Sequence, residues 1–415
     1  MDPTSLARMA WRNLWRSRRR SALTLSSIAF GTLLAVLFTG MGDANFTAMI
    51  DMAARLGGGH VALQNSRTLD TPTLAHPVGG VPRLRRVALH DPDVARVVVR
   101  VTGQLMLQTA EQSYGAAYLA IDPESEDVST LSILEALVEG EPFRSSDDRG
   151  IILGEKLARN LEAGLGRKVV FLLTDRNGEI VRDVARVTGI LRTGSPSVDS
   201  ALCLLPIDAL RDLVGYTPVE STRLALFLRD QRESERVAQR LSLELPAEVA
   251  AEPWYELHPD LAGFIAMKVA SARLMEGVIL VLVAAGIFNT LFVSVMERVR
   301  EFGILMAIGF SQRSLFGLVM LESLWLGTLG LVAAAVLTAG PYWWIATRGI
   351  DLSPWLGGSA PEVAGVAISP ILYVGIFGEH LVQIGVAVLA ATLLAGVYPA
   401  WRAGSFDPVD AVRRV

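Results

Sequence analysis

Four long stretches without a charged side chain constrain the fold of this 415-residue chain more than any other feature. They cover residues 21–42, 277–296, 323–347 and 381–401. A helix rises about 1.5 Å per residue, so roughly 20 apolar residues span a bilayer core of about 30 Å. The first stretch is longer than the apolar region of a secretory signal, about 7–15 residues, and is expected to remain as an anchor. We therefore predict four transmembrane helices, at residues 21–42, 274–296, 314–347 and 381–401.

The basic residues predict the orientation of these helices, because loops rich in lysine and arginine stay in the cytoplasm. Six arginines precede the first span and others follow the second and fourth, whereas residues 349–380 contain no lysine or arginine. Both termini are therefore expected in the cytoplasm. The cytoplasmic segments are an amphipathic N-terminal helix at 1–20, a connecting helix at 297–310 and a tail at 402–415. The segments outside are a large domain at 43–273 and a short loop at 349–380.

The segment at 43–273 is too long for a loop, and its short mixed elements predict an α+β domain. Alternating apolar residues predict strands at 97–107, 114–121, 169–174, 180–191 and 222–228. Amphipathic stretches predict helices at 206–214 and 233–243. Residues 151–161 indicate a strand that turns into a helix ended by Gly164. The Asn-Gly at 177–178 is typical of a hairpin turn. The predicted fold is four transmembrane helices with this domain inserted between helices one and two.

No pattern in the chain is typical of an active site. The histidines lack partners at helical spacing that would favour metal binding, and no nucleotide-binding motif is found. Cys203 is the only cysteine; it lies in an apolar strand and is interpreted as a core residue. No basic patch of the kind that binds nucleic acid is found. We expect no enzymatic activity, metal or cofactor of the chain's own.

A short amphipathic segment, MERVREFGILMAIG at residues 296–309, lies between the second and third spans. On a helix that begins near residue 297, Val299, Phe302 and Met306 share one side and most charges the other. Gly309 would end this helix and Ser311 would cap the next. The simple alternative is a solvated turn, but a turn needs only a few residues. We predict docking in a groove of a cytoplasmic ATPase, through Glu297, Arg298, Arg300, Glu301, Phe302, Leu305 and Ile308.

Residues 288–311, FNTLFVSVMERVREFGILMAIGFS, resemble the coupling region of FtsX-like ABC transporter permeases. This family includes the lipoprotein-releasing LolC and LolE proteins and the MacB exporters. Residues 9–20, 187–199 and 397–413 resemble the family's N-terminal helix, an outer-domain segment and the C-terminal signature. The resemblance implies a permease of the bacterial inner membrane that pairs with a second permease subunit, identical or different. It also implies a pair of cytoplasmic ABC ATPase subunits, which bind ATP and Mg and drive movements in the periplasm.

The layout favours the lipoprotein-releasing branch, because MacB proteins carry the ATPase on the same chain whereas this chain begins at the N-terminal helix. The substrate would then be lipoproteins bound for the outer membrane. One alternative is a MacB-type subunit for efflux or for regulation of the cell envelope, and another is a signalling or structural membrane protein. LolC recruits a periplasmic chaperone through a proline-containing hook. The hairpin at 175–178 has no proline, which argues against recruitment of a periplasmic chaperone here unless a partner subunit supplies the hook.

Two further predictions concern the spans. Lipoprotein-releasing relatives hold acyl chains between spans one and two of paired subunits, and ordinary helix packing or contact with membrane lipid is the alternative. The residues placed to line such a cavity are Phe38, Met41, Phe46, Met49, Met267, Leu274, Ile279 and Val283. Glu322 is an acid within the third predicted span. It is interpreted either as functional or as a residue that reaches the interface or packs against a neighbouring helix.

Overall fold

The computed structural model describes residues 3–16, 18–68, 73–355, 362–363, 366–367 and 369–405. Its internal contacts divide the chain into two units. The membrane unit comprises Met1–Asn45, Ala266–Asp351 and Ile371–Val415. The outer unit comprises Phe46–Ile265 and Leu352–Pro370.

The α-helices of the described residues, in chain order, are α1 (Pro3–Arg16), α2 (Arg18–Ala53), α3 (Val81–His90), α4 (Glu155–Asn160), α5 (Pro196–Ala201), α6 (Ile207–Val214), α7 (Ser234–Glu244), α8 (Trp254–Leu257), α9 (Pro259–Glu297), α10 (Val299–Ala307), α11 (Gln312–Arg348) and α12 (Gly378–Gly404). The strands are β1 (Val61–Asn65), β2 (Val94–Gln108), β3 (Ser113–Ile121), β4 (Leu137–Gly140), β5 (Gly150–Gly154), β6 (Lys168–Thr174), β7 (Ile180–Leu191), β8 (Leu202–Pro206), β9 (Arg223–Leu228), β10 (Val249–Pro253), β11 (Ile350–Asp351), β12 (Glu362–Val363), β13 (Val366–Ala367) and β14 (Ile371–Leu372).

Four helices, α2, α9, α11 and α12, are long and apolar enough to cross a membrane. Both helices that enter the outer unit extend well beyond the predicted spans. The apolar pattern predicts only the part of a helix that lipid covers, whereas α2 continues to Ala53 through residues that favour helix. In this extension Met49 and Ala53 are buried in the outer unit, with Leu261 of α9 and Val366. Tertiary packing therefore sustains the helix past the apolar stretch.

Small residues let the helices of the membrane unit approach closely. A Cβ added at Gly330 of α11 would lie 2.6 Å from Cγ2 of Ile28, and one added at Gly396 of α12 would lie 2.3 Å from Oγ of Ser323. Each position therefore has no room for a side chain. Such contacts are typical of helices packed within lipid, where apolar burial alone does not bring helices together.

The outer unit contains a ten-stranded mixed sheet in its described residues, with the order β10-β1-β9-β2-β3-β8-β5-β7-β4. Strand β6 lies off this path and pairs with β2 and β7. The pairs β3–β8 and β5–β7 are parallel. One core cluster packs α4 and α6 onto the sheet, and a second packs α3 and α7 onto its other end.

The strands and helices that the sequence predicts in the outer unit are all found, but β1, β4, β10 and α3 were not predicted. The hairpin at 175–178 is confirmed, since β6 and β7 pair antiparallel around it and Gly178 has φ +86°. The strand followed by a helix is confirmed as β5 and α4, and Cys203 is buried in β8 as expected. The prediction that Gly164 ends this helix is wrong. Helix α4 already ends at Asn160, and Glu162 takes the positive φ of +53° that the chain needs to turn.

The boundaries of the outer domain also differ from the prediction. By contacts, the domain begins at Phe46 and ends at Ile265, rather than at 43 and 273, and it includes most of the loop predicted at 349–380. Two interactions explain why the loop belongs to it. Val366 is 2% exposed within the cluster around Met49, and the Ser197 hydroxyl donates a hydrogen bond to Glu362. Burial opposes ionisation of Glu362, but hydrogen bonds from Ser197 and Ser195 outweigh it and lower the pKa.

We predict that Gly154→Ala opens the sheet beside Cys203. The backbone of Gly154 suits alanine, with φ −63°, but the new Cβ would lie 2.4 Å from the Asp199 carbonyl oxygen. Overpacking of this kind costs about 1–3 kcal/mol. Because Cys203 is the only cysteine and pairs with Leu153, its thiol labelling rate reports this opening. The rate should rise roughly 5- to 150-fold, the equivalent of that cost.

Gly164→Ala is the matched control, because nothing lies within 4 Å of the added Cβ. Its labelling rate should equal that of the unmodified protein. Equal rates in the Gly154 and Gly164 variants would contradict the close approach of Gly154 in β5 to Asp199 in α5.

Candidate functional site

The helix between α9 and α11 forms as the sequence predicts, over a slightly shorter range. Helix α9 ends at Glu297 and α10 begins at Val299, so that Arg298 alone separates them. At its end Gly309 has φ +104°, its N–H donates to the Met306 carbonyl at 3.0 Å, and Phe310 N–H donates to the Leu305 carbonyl at 3.0 Å. The Ser311 hydroxyl then accepts from the N–H of Ser314 and caps α11. These bonds satisfy two carbonyl groups at the end of α10 and one N–H group at the start of α11, and they fix a tight connection between the helices.

The side of α10 that carries Phe302 faces its own unit. Phe302 is 0% exposed and lies in a cluster with Leu315 and Leu318 of α11 and Ala400 of α12. The prediction that Phe302 docks to a partner therefore needs correction, because a fully buried ring is not available to another protein in this structure. The apolar side of this amphipathic helix packs onto the neighbouring helices, as in globular proteins.

The outward side of α10 carries a different set of residues. Ile304 is 49% exposed and Ile308 is 70% exposed, and Arg300 precedes them on the same side at four-residue spacing. Leu305 is partly buried at the border. Ile308 belongs to the predicted docking set, whereas Ile304 does not. The signal for Ile304 was present in the sequence, since both isoleucines fall on the charged side of the helix, where apolar residues are unexpected.

A buried ion pair holds the start of α10 to α11. Glu322 of α11 is 6% exposed, and its Oε1 accepts from Nη1 of Arg298 at 3.0 Å and from Nδ2 of Asn13 at 2.7 Å. The Arg298 guanidinium also lies over the Phe302 ring, 5.0 Å from its centroid. The sequence left Glu322 either as a functional acid or as a residue that reaches the interface or packs against a neighbouring helix, and its partners Arg298 and Asn13 were not identified.

Further ion pairs surround this one and extend it to α1, α2 and α9. Arg298 Nε donates to Glu301 at 3.1 Å, Arg16 lies 2.7 Å from Glu301, and Arg20 lies 2.6 Å from Glu297. We call the seven residues the polar cluster: Asn13, Arg16, Arg20, Glu297, Arg298, Glu301 and Glu322. Three cations balance three anions, so the cluster holds its charges without a net excess.

The polar cluster lines a cavity of about 220 Å³ together with hydroxyl side chains of α2 and α9. These are Ser21, Thr24, Thr290 and Ser294. Three predicted docking residues, Glu297, Arg298 and Glu301, thus belong to the polar cluster, whereas Arg300 and Ile308 do not line this cavity. Asn13, Arg16 and Arg20 were missed, because their partners lie more than 250 positions away in the sequence.

The residues predicted to line a lipid cavity divide into three groups. Phe38, Met267 and Leu274 are exposed, at 57%, 57% and 71%. Ile279 and Val283 pack at a close crossing of α9 and α2, where a Cβ added at Gly31 would lie 2.3 Å from Val283 Cγ2.

The other three lie nearer the end of α2. Met41 is partly buried in the membrane unit. Met49 is 3% exposed in the core of the outer unit, and Phe46 packs against the same cluster. These two side chains contribute to protein packing and present no open wall for an acyl chain in this structure.

The outer segment at 187–199 is organised by Asp199. Its carboxylate is 5% exposed and accepts from the N–H and the hydroxyl of Thr193, at 2.8 and 2.7 Å. A groove of about 230 Å³ lies beside Thr193, walled by Met52, Leu56 and Ile133. Among the described residues no group of three or more His, Cys, Asp or Glu side chains could hold a metal ion. The C-terminal signature is described only to residue 405, so its remainder lies outside the described residues.

We predict that Arg298→Gln lowers the thermal unfolding midpoint of the detergent-solubilised protein. The change leaves the Glu322 carboxylate buried without its cation, which costs roughly 3 kcal/mol. The double variant Arg298→Gln/Glu322→Gln should recover much of the loss, because both charges are then gone. Arg300→Gln, on the exposed side of α10, is the control and should unfold at the unmodified midpoint. An unchanged midpoint for Arg298→Gln would contradict the ion pair.

Two family models match the chain. One, described as FtsX-like permease C-terminal, matches residues 274–408, and the other, described as MacB-like periplasmic core domain, matches residues 21–243. The first covers α10 and the three helices around it, and the second covers α2 and most of the outer unit. The second model alone matches more than half of the chain.

Curated relatives include proteins of two kinds. The lipoprotein-releasing system transmembrane protein LolC of Xylella fastidiosa (strain 9a5c) is 23% identical over 347 residues, 79% of each chain. The corresponding LolE of Haemophilus influenzae is 20% identical over 402 residues, 93% of each chain. The pyoverdine export ATP-binding/permease protein PvdT of Pseudomonas entomophila is 25% identical over 416 residues, 97% of this chain and 58% of that protein. With its four apolar helices and MacB-like periplasmic core, the chain belongs to the FtsX-like, MacB-type family of inner-membrane ABC transporter permeases.

Proposed function

We propose that this permease couples ATP hydrolysis by a separate pair of cytoplasmic ATPase subunits to movement of its outer unit. The observation that carries the proposal is the combination found at α10: an exposed apolar surface on a helix whose base is fixed by Arg298 and Glu322. A docking helix must be held rigidly if a partner's motion is to reach the rest of the protein. ATP and Mg would be bound by the ATPase, and both termini of the permease would be cytoplasmic, as the arginines favour.

Two continuous helices provide the path for this movement. Helix α2 contributes Arg20 to the polar cluster and Met49 and Ala53 to the core of the outer unit. Helix α9 begins in the outer unit at Pro259 and ends with Glu297 in the polar cluster. At about 1.5 Å per residue, each helix is more than about 50 Å long. A displacement of α10 would be transmitted along both helices.

A second permease subunit is part of the proposal, and α9 is the helix that favours it. Only 17% of its most apolar stretch is buried, against 39%, 44% and 33% for α2, α11 and α12. The side chains that it exposes include Leu274, Val281 and Leu282. Pairing through α9 and the exposed Phe38 of α2 would place a lipid-binding space between two subunits, identical or different.

We propose lipoproteins bound for the outer membrane as the substrate. The relatives named lipoprotein-releasing support this choice. The second candidate is export by a MacB-type complex, which is supported by the similar identity to PvdT and to the macrolide export protein MacB of Nitrosomonas europaea. Chaperone recruitment through the hairpin at 175–178 is not part of the proposal, because that turn has no proline.

We predict that Ile308→Asp abolishes co-purification of the ATPase without loss of the permease. A charge in a buried protein interface costs about 2 kcal/mol or more, which weakens binding roughly 30-fold. The measurement is the ATPase recovered with tagged permease after co-expression. Leu243→Asp is the matched control, since Leu243 is an 88% exposed helical residue of the outer unit. Wild-type recovery with Ile308→Asp would contradict docking at this surface.

Depletion of the permease in its host distinguishes the two candidate functions. If the permease releases lipoproteins, its depletion should make these proteins accumulate in the inner membrane, because the blocked release step leaves them there. Export predicts normal lipoprotein sorting together with intracellular retention of a small exported compound. Normal sorting on full depletion would contradict the lipoprotein proposal and leave the coupling role intact.

A further inference from the structure

The outward face of α1 alternates tryptophan and arginine. Trp11 is 37% exposed and Trp15 is 52% exposed, and Arg8 and Arg12 are exposed beside them. The four positions share one side of the helix at spacings of three and four residues. The opposite side is buried, with Ala10 at 0% and Leu14 at 7% exposed. The helix is therefore docked by its apolar side, and its basic, aromatic face remains exposed in part.

This face lies beside the apolar part of the helical bundle. The Trp11 ring lies edge-on to the ring of Trp325, with centroids 5.0 Å apart, and Leu14 packs with Leu326. Trp325 follows the start of α11 by about 20 Å of helix. Trp11 thus contacts a residue of the third predicted span, which lipid would surround.

The arginines of this segment differ in their partners. Arg16 and Arg20 pair with Glu301 and Glu297. Arg8 and Arg12 make no ion pair with any residue in the described part of the chain, although both are exposed next to the tryptophans. Unpaired guanidinium groups beside indole rings suit a ligand that is anionic at one end and apolar at the other. Guanidinium groups bind phosphate through paired hydrogen bonds, and tryptophan favours the headgroup level of a bilayer.

We propose that the face formed by Arg8, Trp11, Arg12 and Trp15 binds anionic phospholipid. The guanidinium groups contact headgroup phosphates, and the indole rings lie at the boundary between headgroups and acyl chains. On the inner side of the same helix, Asn13 and Arg16 hold Glu322 and Glu301 of the polar cluster. Bound lipid therefore steadies the helix that braces α10. The lipid site itself does not depend on the proposed ATPase or substrate.

The test is lipid retention by the purified full chain. The protein is equilibrated with equal amounts of phosphatidylglycerol and phosphatidylcholine in detergent, and bound lipids are counted by native mass spectrometry. We expect the unmodified protein to prefer phosphatidylglycerol. Arg8→Gln/Arg12→Gln should weaken that preference roughly 30-fold, because each basic residue near an anionic surface contributes about 1 kcal/mol.

Arg83→Gln/Arg85→Gln is the matched control, because it removes two exposed arginines from α3 of the outer unit. Its lipid preference should equal that of the unmodified protein. Equal retention of the two lipids by the unmodified protein, undiminished preference in the α1 variant, or the same loss in the α3 variant would overturn the proposal.

A salt titration of the unmodified protein provides a test that does not depend on folding of a variant. Raising the ionic strength from 0.1 to 1 M shortens the screening length from about 10 to about 3 Å. The preference for phosphatidylglycerol should then fall steeply. A preference that is unchanged at high salt would show that the arginines do not carry it and would also overturn the proposal.

Discussion

The buried ion pair between Arg298 and Glu322 is the interaction on which this end of the membrane unit depends. A carboxylate among apolar helices costs free energy unless it is paired and hydrogen-bonded. The Glu322 carboxylate has both the Arg298 guanidinium and the Asn13 amide as partners. Because Arg298 lies between α9 and α10, the pair holds the junction of these two helices to α11. Asn13 adds α1 to the same carboxylate. One acid therefore positions three helices relative to each other.

As a consequence of this arrangement, the two sides of α10 have different surroundings. Its inner side, with Phe302, belongs to the core of the membrane unit, and its outer side, with Ile304 and Ile308, remains open. The long helices α2 and α9 carry residues of both the polar cluster and the outer unit. The loop after α11 is also integrated into the outer unit, through Val366 and Glu362. In the proposed function, each of these continuous or packed segments carries motion from a docked ATPase to the periplasmic side.

The sequence predicts the elements of this fold better than it predicts the surfaces of the site. Charge-free stretches identify the spans, and the Asn-Gly turn identifies the β6–β7 hairpin, because these signals are local. The direction in which α10 faces depends on α11 and α12, and periodicity alone could not show that Phe302 packs inward. Met49 resembles a lipid-facing residue in sequence, but the extension of α2 into the outer unit buries it. The partners of Glu322 come from positions far apart in the chain, so only the assembled fold brings them together.

The central claim is that the Arg298–Glu322 pair transmits motion from the ATPase to the outer unit. The most direct measurement is the distance between spin labels at residue 243 of two paired outer units, in the assembled complex with Cys203 replaced by alanine, before and after addition of ATP. The claim predicts that ATP shifts this distance in the otherwise unmodified complex. It predicts no shift in Arg298→Gln/Glu322→Gln, although that variant still binds the ATPase. The same ATP-dependent shift in both complexes would contradict the claim.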